Sequence, residues 1–309
     1  MQTTEQQIPF EKIVQSEIES SPAHGLKDIL FKKPILIGGC GSSGTTLLKT
    51  ILDSHTNIAC GQEISVFDHP QIYDIDIKQL HHMLLKQDFS SITSDLVYPI
   101  ATKFGDTFGL FYPNFGKEYH SMAATDYLLK NAQDSKHFWN MYFSNYACRQ
   151  GKKRWAEKTP NNVFCIKEIL EFFPDAKFVH VIRDGRDVTL SLTQSRNFHI
   201  FAAIMRWLIA VEAGIRFRGN PRYYEIKYED LVTQPEDTLK KLMEFLEEDY
   251  DQNMLDFTEA GKNNPLNYGT TPIFTKSVQK WKQTKLTPSA DRLLDLSLKR
   301  LLKELEYET

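Results

Sequence analysis

The spacing of apolar residues changes period several times along the chain, and each change marks an element. Pro34-Ile35-Leu36-Ile37-Gly38-Gly39 is a short apolar run ended by glycine, the pattern of a strand buried on both faces of a parallel sheet. From residue 45 to 55 the period lengthens: Leu47, Leu48, Ile51 and Leu52 share one helical face, closed by Asp53-Ser54-His55. A second short run, Asn57-Ile58-Ala59-Cys60, follows. Residues 167–173 predict a helix stopped by Pro174-Asp175, and residues 177–182 a further core strand. Apolar spacing over about residues 188–218 predicts a long helix or a helix pair. Residues 223–228 predict another strand, leading into Glu229-Asp230-Leu231 and a helix that turns Leu239, Leu242, Met243, Phe245 and Leu246 inward. Residues 291–306 form a last, Leu-rich amphipathic pattern. Strands alternating with helices define an α/β fold: a central parallel sheet flanked by helices, with a C-terminal helix.

Two regions depart from this alternation. Residues 1–32 carry weak helical spacing broken by Ser20-Ser21-Pro22 and Gly25, and are expected to be an N-terminal helical arm ahead of one domain over 33–309. Between 66 and 150 the pattern blurs into helical pieces near 78–86 and 125–130 around the aromatic, glycine-containing stretch 104–119. A helical and irregular insertion of this kind is where selection of a substrate is expected.

Bulk composition excludes more than it assigns. Hydrophobic residues at 41% and charged residues at 25% are those of an ordinary globular chain. A net charge of −3 argues against a broad basic surface for nucleic acid, so any anion site must be local. No segment approaches the roughly 20 apolar residues of a membrane span, and the polar first twenty residues lack an apolar signal core, so a soluble, cytoplasmic protein is expected. Cys40, Cys60, Cys148 and Cys165 have no C-x-x-C spacing and no nearby His pair, which argues for free thiols and against a metal site.

The local anion site is legible. Gly39-Cys40-Gly41-Ser42-Ser43-Gly44-Thr45-Thr46 has the G-x-x-x-x-G spacing of a phosphate-binding loop between a strand and a helix, but Thr45 stands where a nucleotide triphosphatase needs Lys. Its backbone N–H groups and the positive end of the helix can still hold a phosphate. A second candidate leaves the strand at 177–182: Arg183, with Ser191 eight residues on, can converge on one phosphate as a charged and a hydroxyl donor. Both lie at the carboxyl edge of the sheet, where open α/β folds bind ligands.

The loop with its intact Ser-Gly-Thr-Thr core resembles the 5′-phosphosulfate loop of sulfotransferases that use PAPS (3′-phosphoadenosine-5′-phosphosulfate). The segment Phe178-Val179-His180-Val181-Ile182-Arg183-Asp184-Gly185-Arg186-Asp187 with Ser191 resembles their 3′-phosphate site. Leu52-Asp53-Ser54-His55 and Cys60-Gly61-Gln62-Glu63 look like the tyrosylprotein branch and its bacterial relatives. Tyr228-Glu229-Asp230-Leu231, and Thr275-Lys276-Ser277-Val278-Gln279-Lys280-Trp281, resemble later segments of the same family. The resemblance implies a P-loop-like domain without metal. Gly41, Ser42, Ser43, Gly44, Thr45, Thr46, Arg183, Ser191, Tyr228, Ser277, Lys280 and Trp281 would hold PAPS.

It also implies a mechanism: Glu63 as general base toward an acceptor hydroxyl, and Lys158, in Trp155-Ala156-Glu157-Lys158-Thr159-Pro160-Asn161, beside the bridging oxygen of the departing nucleotide. The acceptor could be a peptide tyrosine, a carbohydrate, a lipid or a small metabolite. Three departures stand out. Ser42 replaces the Arg or Lys that many members carry before the Ser-Gly-Thr-Thr core, and Ser65 aligns with an arginine of the tyrosylprotein branch. Ala156 stands where the Golgi enzymes keep a cysteine that pairs with the equivalent of Cys60, which fits a reducing compartment. Two rivals remain: a kinase-like enzyme with Asp184 as metal-binding acid, and a non-catalytic nucleotide-binding module of the same fold.

Overall fold

The computed structural model describes residues 26, 28–86, 119–120, 122–256 and 277–308. Residues 1–25 of the expected arm, 104–118 of the aromatic stretch, and Thr275 and Lys276 of the late segment lie outside the described residues.

Five strands, β1 (Ile35–Gly39), β2 (Ile58–Cys60), β3 (Arg154–Lys158), β4 (Lys177–Ile182) and β5 (Tyr223–Lys227), form one parallel sheet in the order β2-β3-β1-β4-β5. Among the described residues the α-helices are α1 (Thr45–Asp53), α2 (Ile77–Lys86), α3 (Met122–Asn131), α4 (Ser135–Arg149), α5 (Ile166–Phe172), α6 (Gly185–Arg196), α7 (Ile200–Ile215), α8 (Tyr228–Thr233), α9 (Pro235–Leu246) and α10 (Pro288–Glu304).

The period-2 alternation of the strands divides the core into two layers. Ile35, Ile37, Val179 and Val181 face Leu48, Ile51 and Leu52 of α1 and Leu239, Leu242, Met243 and Leu246 of α9. Leu36, Phe178 and Ile182 face the opposite layer, which contains Trp139 and Phe143 of α4, Trp207 of α7 and Leu298 of α10. Phe143 stacks on Trp155 of β3 at 4.7 Å between centroids, so the described helices between 66 and 150 share this layer with the sheet. The chain leaves β1 toward β2 and leaves β4 toward β5, which puts the topological switch between β1 and β4.

Two features differ from the sequence pattern, and a third settles an alternative that it left open. β3 was not expected as a strand: Arg154, Glu157 and Lys158 interrupt its apolar pattern, yet all three are buried. Tertiary partners make that burial tolerable. Arg154 donates to the carbonyls of Lys33 at 2.5 Å and Leu246 at 2.6 Å, and to Glu248 at 3.0 Å. Inserted between β1 and β2, β3 moves the run 58–60 to the sheet edge, away from the glycine loop. At the other side, β5 ends at Lys227, and Tyr228 opens α8 instead of closing the strand. The long pattern over 188–218 is a helix pair: Asn197, at φ 58°, ends α6, and His199 caps α7 by accepting from the Phe201 N–H.

Candidate functional site

β1 ends at Gly39, and the chain turns through Ser42 at φ 70° and Gly44 at φ 95° before α1 begins. The Ser43 N–H closes the turn onto the Cys40 carbonyl at 3.1 Å. No side chain caps α1, and its first turn holds no acidic residue. The first-turn N–H groups of α1, including those of Thr45 and Thr46, and the positive helix end are therefore left to an anion. Ser43 is buried, and its Oγ has no hydrogen-bond partner among the described residues. Gly44 cannot be replaced without strain: its φ favours glycine, and a Cβ there would lie 2.4 Å from the Tyr228 ring.

Arg183 leaves β4 and crosses to this loop. Its Nη1 donates to the Ser42 carbonyl at 2.9 Å and its Nη2 to the Ser277 carbonyl at 2.6 Å. The guanidinium lies over the Tyr228 ring at 4.8 Å and stands 3.8 Å from Asp187, while its buried Nε has no partner among the described residues. Trp207, packed on Gly185, donates to the Arg183 carbonyl at 2.9 Å and holds that backbone from beneath. The Tyr228 hydroxyl hydrogen-bonds the Ser277 side chain, and burial pushes its pKa up. Arg183, Ser42, Tyr228 and Ser277 thus form one cluster.

The remaining expected residues lie outside these contacts, along α6 and the late segment. Ser191 is half-buried on α6. Lys280 is exposed and reaches Gln194 on α6 at 3.2 Å. Trp281 anchors to the first turn of α6: its N–H donates to Asp187 at 2.9 Å, and its ring lies under the Arg186 guanidinium at 3.8 Å. Asp184 is fully engaged, since it caps the Arg186 N–H at 2.9 Å and pairs with that guanidinium at 2.7 Å. Glu229 accepts from the Asp184 N–H at 3.0 Å and from the Tyr307 hydroxyl at 2.8 Å, docking the end of the chain onto the start of α6.

Glu63 and Lys158 meet at the carboxyl edge of β2 and β3, with Lys158 Nζ 2.5 Å from Glu63 Oε2. The lysine side chain is 5% exposed and the carboxylate 27%, so the acid is the member that solvent and a ligand can reach. The strands deliver them together because Lys158 pairs in register with Ile37, two residues before the loop, and Cys60 with Ala156. Beneath them lies a polar network that sequence reasoning missed. Buried Glu157 accepts from the Thr159 hydroxyl at 2.7 Å and Asn162 Nδ2 at 2.6 Å, and Thr159 Oγ1 accepts from the Ser65 N–H at 3.2 Å. Ser65, at φ 55°, donates its hydroxyl to Asp68 at 2.9 Å. Burial pushes Glu157 up to about 7 and raises Asp68 as well. Arg206, also missed, borders Gly41 from α7; a lone cation in the apolar run Ile-Met-Arg-Trp-Leu-Ile was the available signal. Among the described residues, no three His, Cys, Asp or Glu side chains converge as a metal site.

A parallel sheet that presents an uncapped glycine loop, an arginine beside it and a paired acid and lysine at the same edge defines a class of P-loop-like transferases. Residues 34–252 match the sulfotransferase family model, and the chain belongs to that family. It is 26% identical over 235 residues to the protein-tyrosine sulfotransferase of Drosophila melanogaster, a match covering 73% of this chain and 40% of that protein. It is 24% identical over 260 residues to the omega-hydroxy-beta-dihydromenaquinone-9 sulfotransferase of Mycobacterium tuberculosis, covering 71% and 63% respectively. The chain thus matches less than two thirds of the length of either curated relative. The fold is shared with the sulfotransferase domain from the curacin biosynthetic pathway, at a TM-score of 0.60 and 18% identity over 91% of this chain and 99% of that one. It is also shared with the sulfotransferase domain of the Synechococcus PCC 7002 olefin synthase, at 0.56 and 20% over 92% and 99%.

Proposed function

We propose that the protein transfers a sulfuryl group from PAPS to an acceptor hydroxyl and releases PAP (3′,5′-adenosine bisphosphate). The observation that carries this reading is the 2.5 Å contact of Glu63 with Lys158, at the end of the strand that pairs with β1, which leads into a glycine loop lacking the triphosphatase lysine. The residues at the site suit the donor. Among the described residues Ser43 Oγ and Arg183 Nε are buried donors with no partner, and no side chain caps α1. In this assignment the Ser43 hydroxyl and the N–H groups of Gly41, Ser42, Gly44, Thr45 and Thr46 hold the 5′ end, and Arg183, with Ser191, holds the 3′-phosphate. Tyr228 and Ser277 keep the arginine in place, and Lys280 and Trp281 fasten the late segment over α6.

Glu63 takes the proton of the acceptor hydroxyl as the acceptor oxygen bonds to sulfur. Lys158 offsets the charge left on the bridging oxygen as its bond to sulfur breaks, and PAP departs with that electron pair. The Glu63–Lys158 contact holds the two groups on the attacking and leaving sides of one transfer.

Acceptor selection belongs to the insertion between 66 and 150, whose helices pack beside the site. The tyrosine preference of the tyrosylprotein enzymes is not carried over, because Ser65 is buried and bonded to Asp68 instead of supplying a cation. A cytoplasmic setting is supported by the register of Cys60 opposite Ala156, which leaves that thiol free and buried. The kinase-like alternative loses its metal ligand, since the Asp184 carboxylate is occupied by Arg186.

The test is calorimetric titration of the purified protein with PAP in the absence of metal, and separately with ATP and Mg²⁺. Preference for PAP is expected; preference for ATP with Mg²⁺ would overturn the assignment of Arg183. Turnover of PAPS with a panel of hydroxyl acceptors then separates an enzyme from a binding module.

A further inference from the structure

Ser42 leaves the glycine loop without the cation that the family pattern carries before its Ser-Gly-Thr-Thr core, and the structure brings another one to the same loop. Arg206 is the only basic residue within α7. It is half-buried, and its Nε lies 3.9 Å from the point where a Cβ on Gly41 would sit. Asn161 fixes the other end of the guanidinium, accepting from Nη2 at 3.0 Å. Asn161 belongs to the 3-10 turn Pro160–Phe164, which follows Lys158 and Thr159 directly. The guanidinium therefore spans from the glycine loop to the turn that carries the lysine.

No carboxylate pairs with Arg206 among the described residues; its hydrogen bond goes to a neutral amide. Two other arginines at this edge have acidic partners, Arg186 in Asp184 and Arg183, more loosely, in Asp187. A half-buried guanidinium without a counter-charge is costly to hold unless an anion completes it. The anion that the adjacent loop is built to receive is a phosphate.

We propose that Arg206 supplies, from α7, the positive charge that Ser42 does not, and that it contacts the 5′ phosphosulfate end of the donor. This rests on the assignment of PAPS as donor. The position of the charge has moved from the loop to a helix packed against it, while the ligand atoms it serves are the same.

Calorimetric titration with PAP of the wild type, Arg206→Gln, Arg206→Lys and the double variant Ser42→Lys/Arg206→Gln tests the proposal. Absence of PAP binding by the wild type would overturn the donor assignment itself. With wild-type binding present, Arg206→Gln is expected to weaken PAP at least about tenfold, equivalent to about 1.4 kcal/mol. Arg206→Lys is expected to retain most of the affinity, and Ser42→Lys to restore much of what Arg206→Gln loses. The salt dependence of PAP binding should shrink in Arg206→Gln and return in the double variant. Affinity of Arg206→Gln within twofold of wild type would overturn the proposal. So would a loss that Ser42→Lys leaves uncorrected, because Arg206 would then act by bracing Asn161.

Discussion

Glu63 and Lys158 make one contact, and under the proposed mechanism they act on opposite sides of one transfer, so their variants should separate turnover from donor binding. Glu63→Gln is expected to lower turnover by about 10²-fold or more while PAP affinity stays within about twofold, because a general base acts on the acceptor and not on the bisphosphate. Lys158→Ala is expected to lower turnover by a similar factor of about 10² through the leaving oxygen. Steady-state rates set against calorimetric PAP affinities check both; equal losses in binding and turnover would contradict the division of roles. Arg183 belongs to the other side of that division. Arg183→Ala is expected to weaken PAP by about 2 kcal/mol, the loss of a charged hydrogen-bonding partner. The same change frees the Ser42 and Ser277 carbonyls that the arginine holds. Arg183→Lys should recover only part of the loss, since an ammonium cannot reach both carbonyls in one plane.

Among the elements, the start of α1 combines the most constraints in the fewest residues. Gly44 must adopt a positive φ, accept the Tyr228 ring against its bare Cα and leave the helix end uncapped. Gly44→Ala is expected to cost about 1–2 kcal/mol for the left-handed backbone and a similar amount for the crowded ring. A lower urea midpoint with an unchanged m-value would report that cost. PAP affinity should fall in the same variant, because displacing Tyr228 disturbs the face on which Arg183 rests. Retained stability would mean that the Tyr228 ring moves aside freely. The α6 and α7 pair plays the complementary part: α6 receives the late segment through Asp187 and Gln194, and α7 contributes Trp207 beneath Arg183. Splitting one apolar pattern into two helices at Asn197 is what lets both faces of the site be served.

Across the whole molecule, buried titratable groups oppose one another with pH. Burial pushes Glu157 up from 4.5 to about 7, so its contribution to stability is fully present below 4.5 and is lost as pH rises through 7. Burial pushes His120 and His180 down from 6.5 to about 4, so their contribution is present above 6.5 and is lost as pH falls through 4. Glu157→Gln removes the opposing member. Its stability should therefore climb more steeply than wild type between pH 4.5 and 7, by one proton, or about 1.4 kcal/mol per pH unit. Urea denaturation at steps across that range checks this, and parallel curves would contradict it. Loosening of the Thr159 and Ser65 network in the same variant should lower turnover more than PAP affinity, because that network supports the Glu63 segment and not the glycine loop.

What the amino-acid sequence determined by itself was everything carried by local spacing. The glycine loop, the strand leading into Arg183, the amphipathic helices α1 and α9 and the parallel α/β class all follow from residues a few positions apart, where periodicity and glycine placement act directly. Tertiary structure alone decided what depends on partners far along the chain. β3 is invisible to hydrophobic spacing because its charged residues are buried against groups elsewhere: Arg154 binds Glu248 across 94 positions and Lys158 binds Glu63 across 95. Its insertion beside β1 set the sheet order and brought Glu63 and Lys158 to one edge. The same cause hid Arg206, whose approach to Gly41 exists only once α7 packs over β1. Apolar burial repeats with the backbone and can be read locally, whereas a buried charge is stable only where the fold supplies its counterpart, and that counterpart has no fixed distance in sequence.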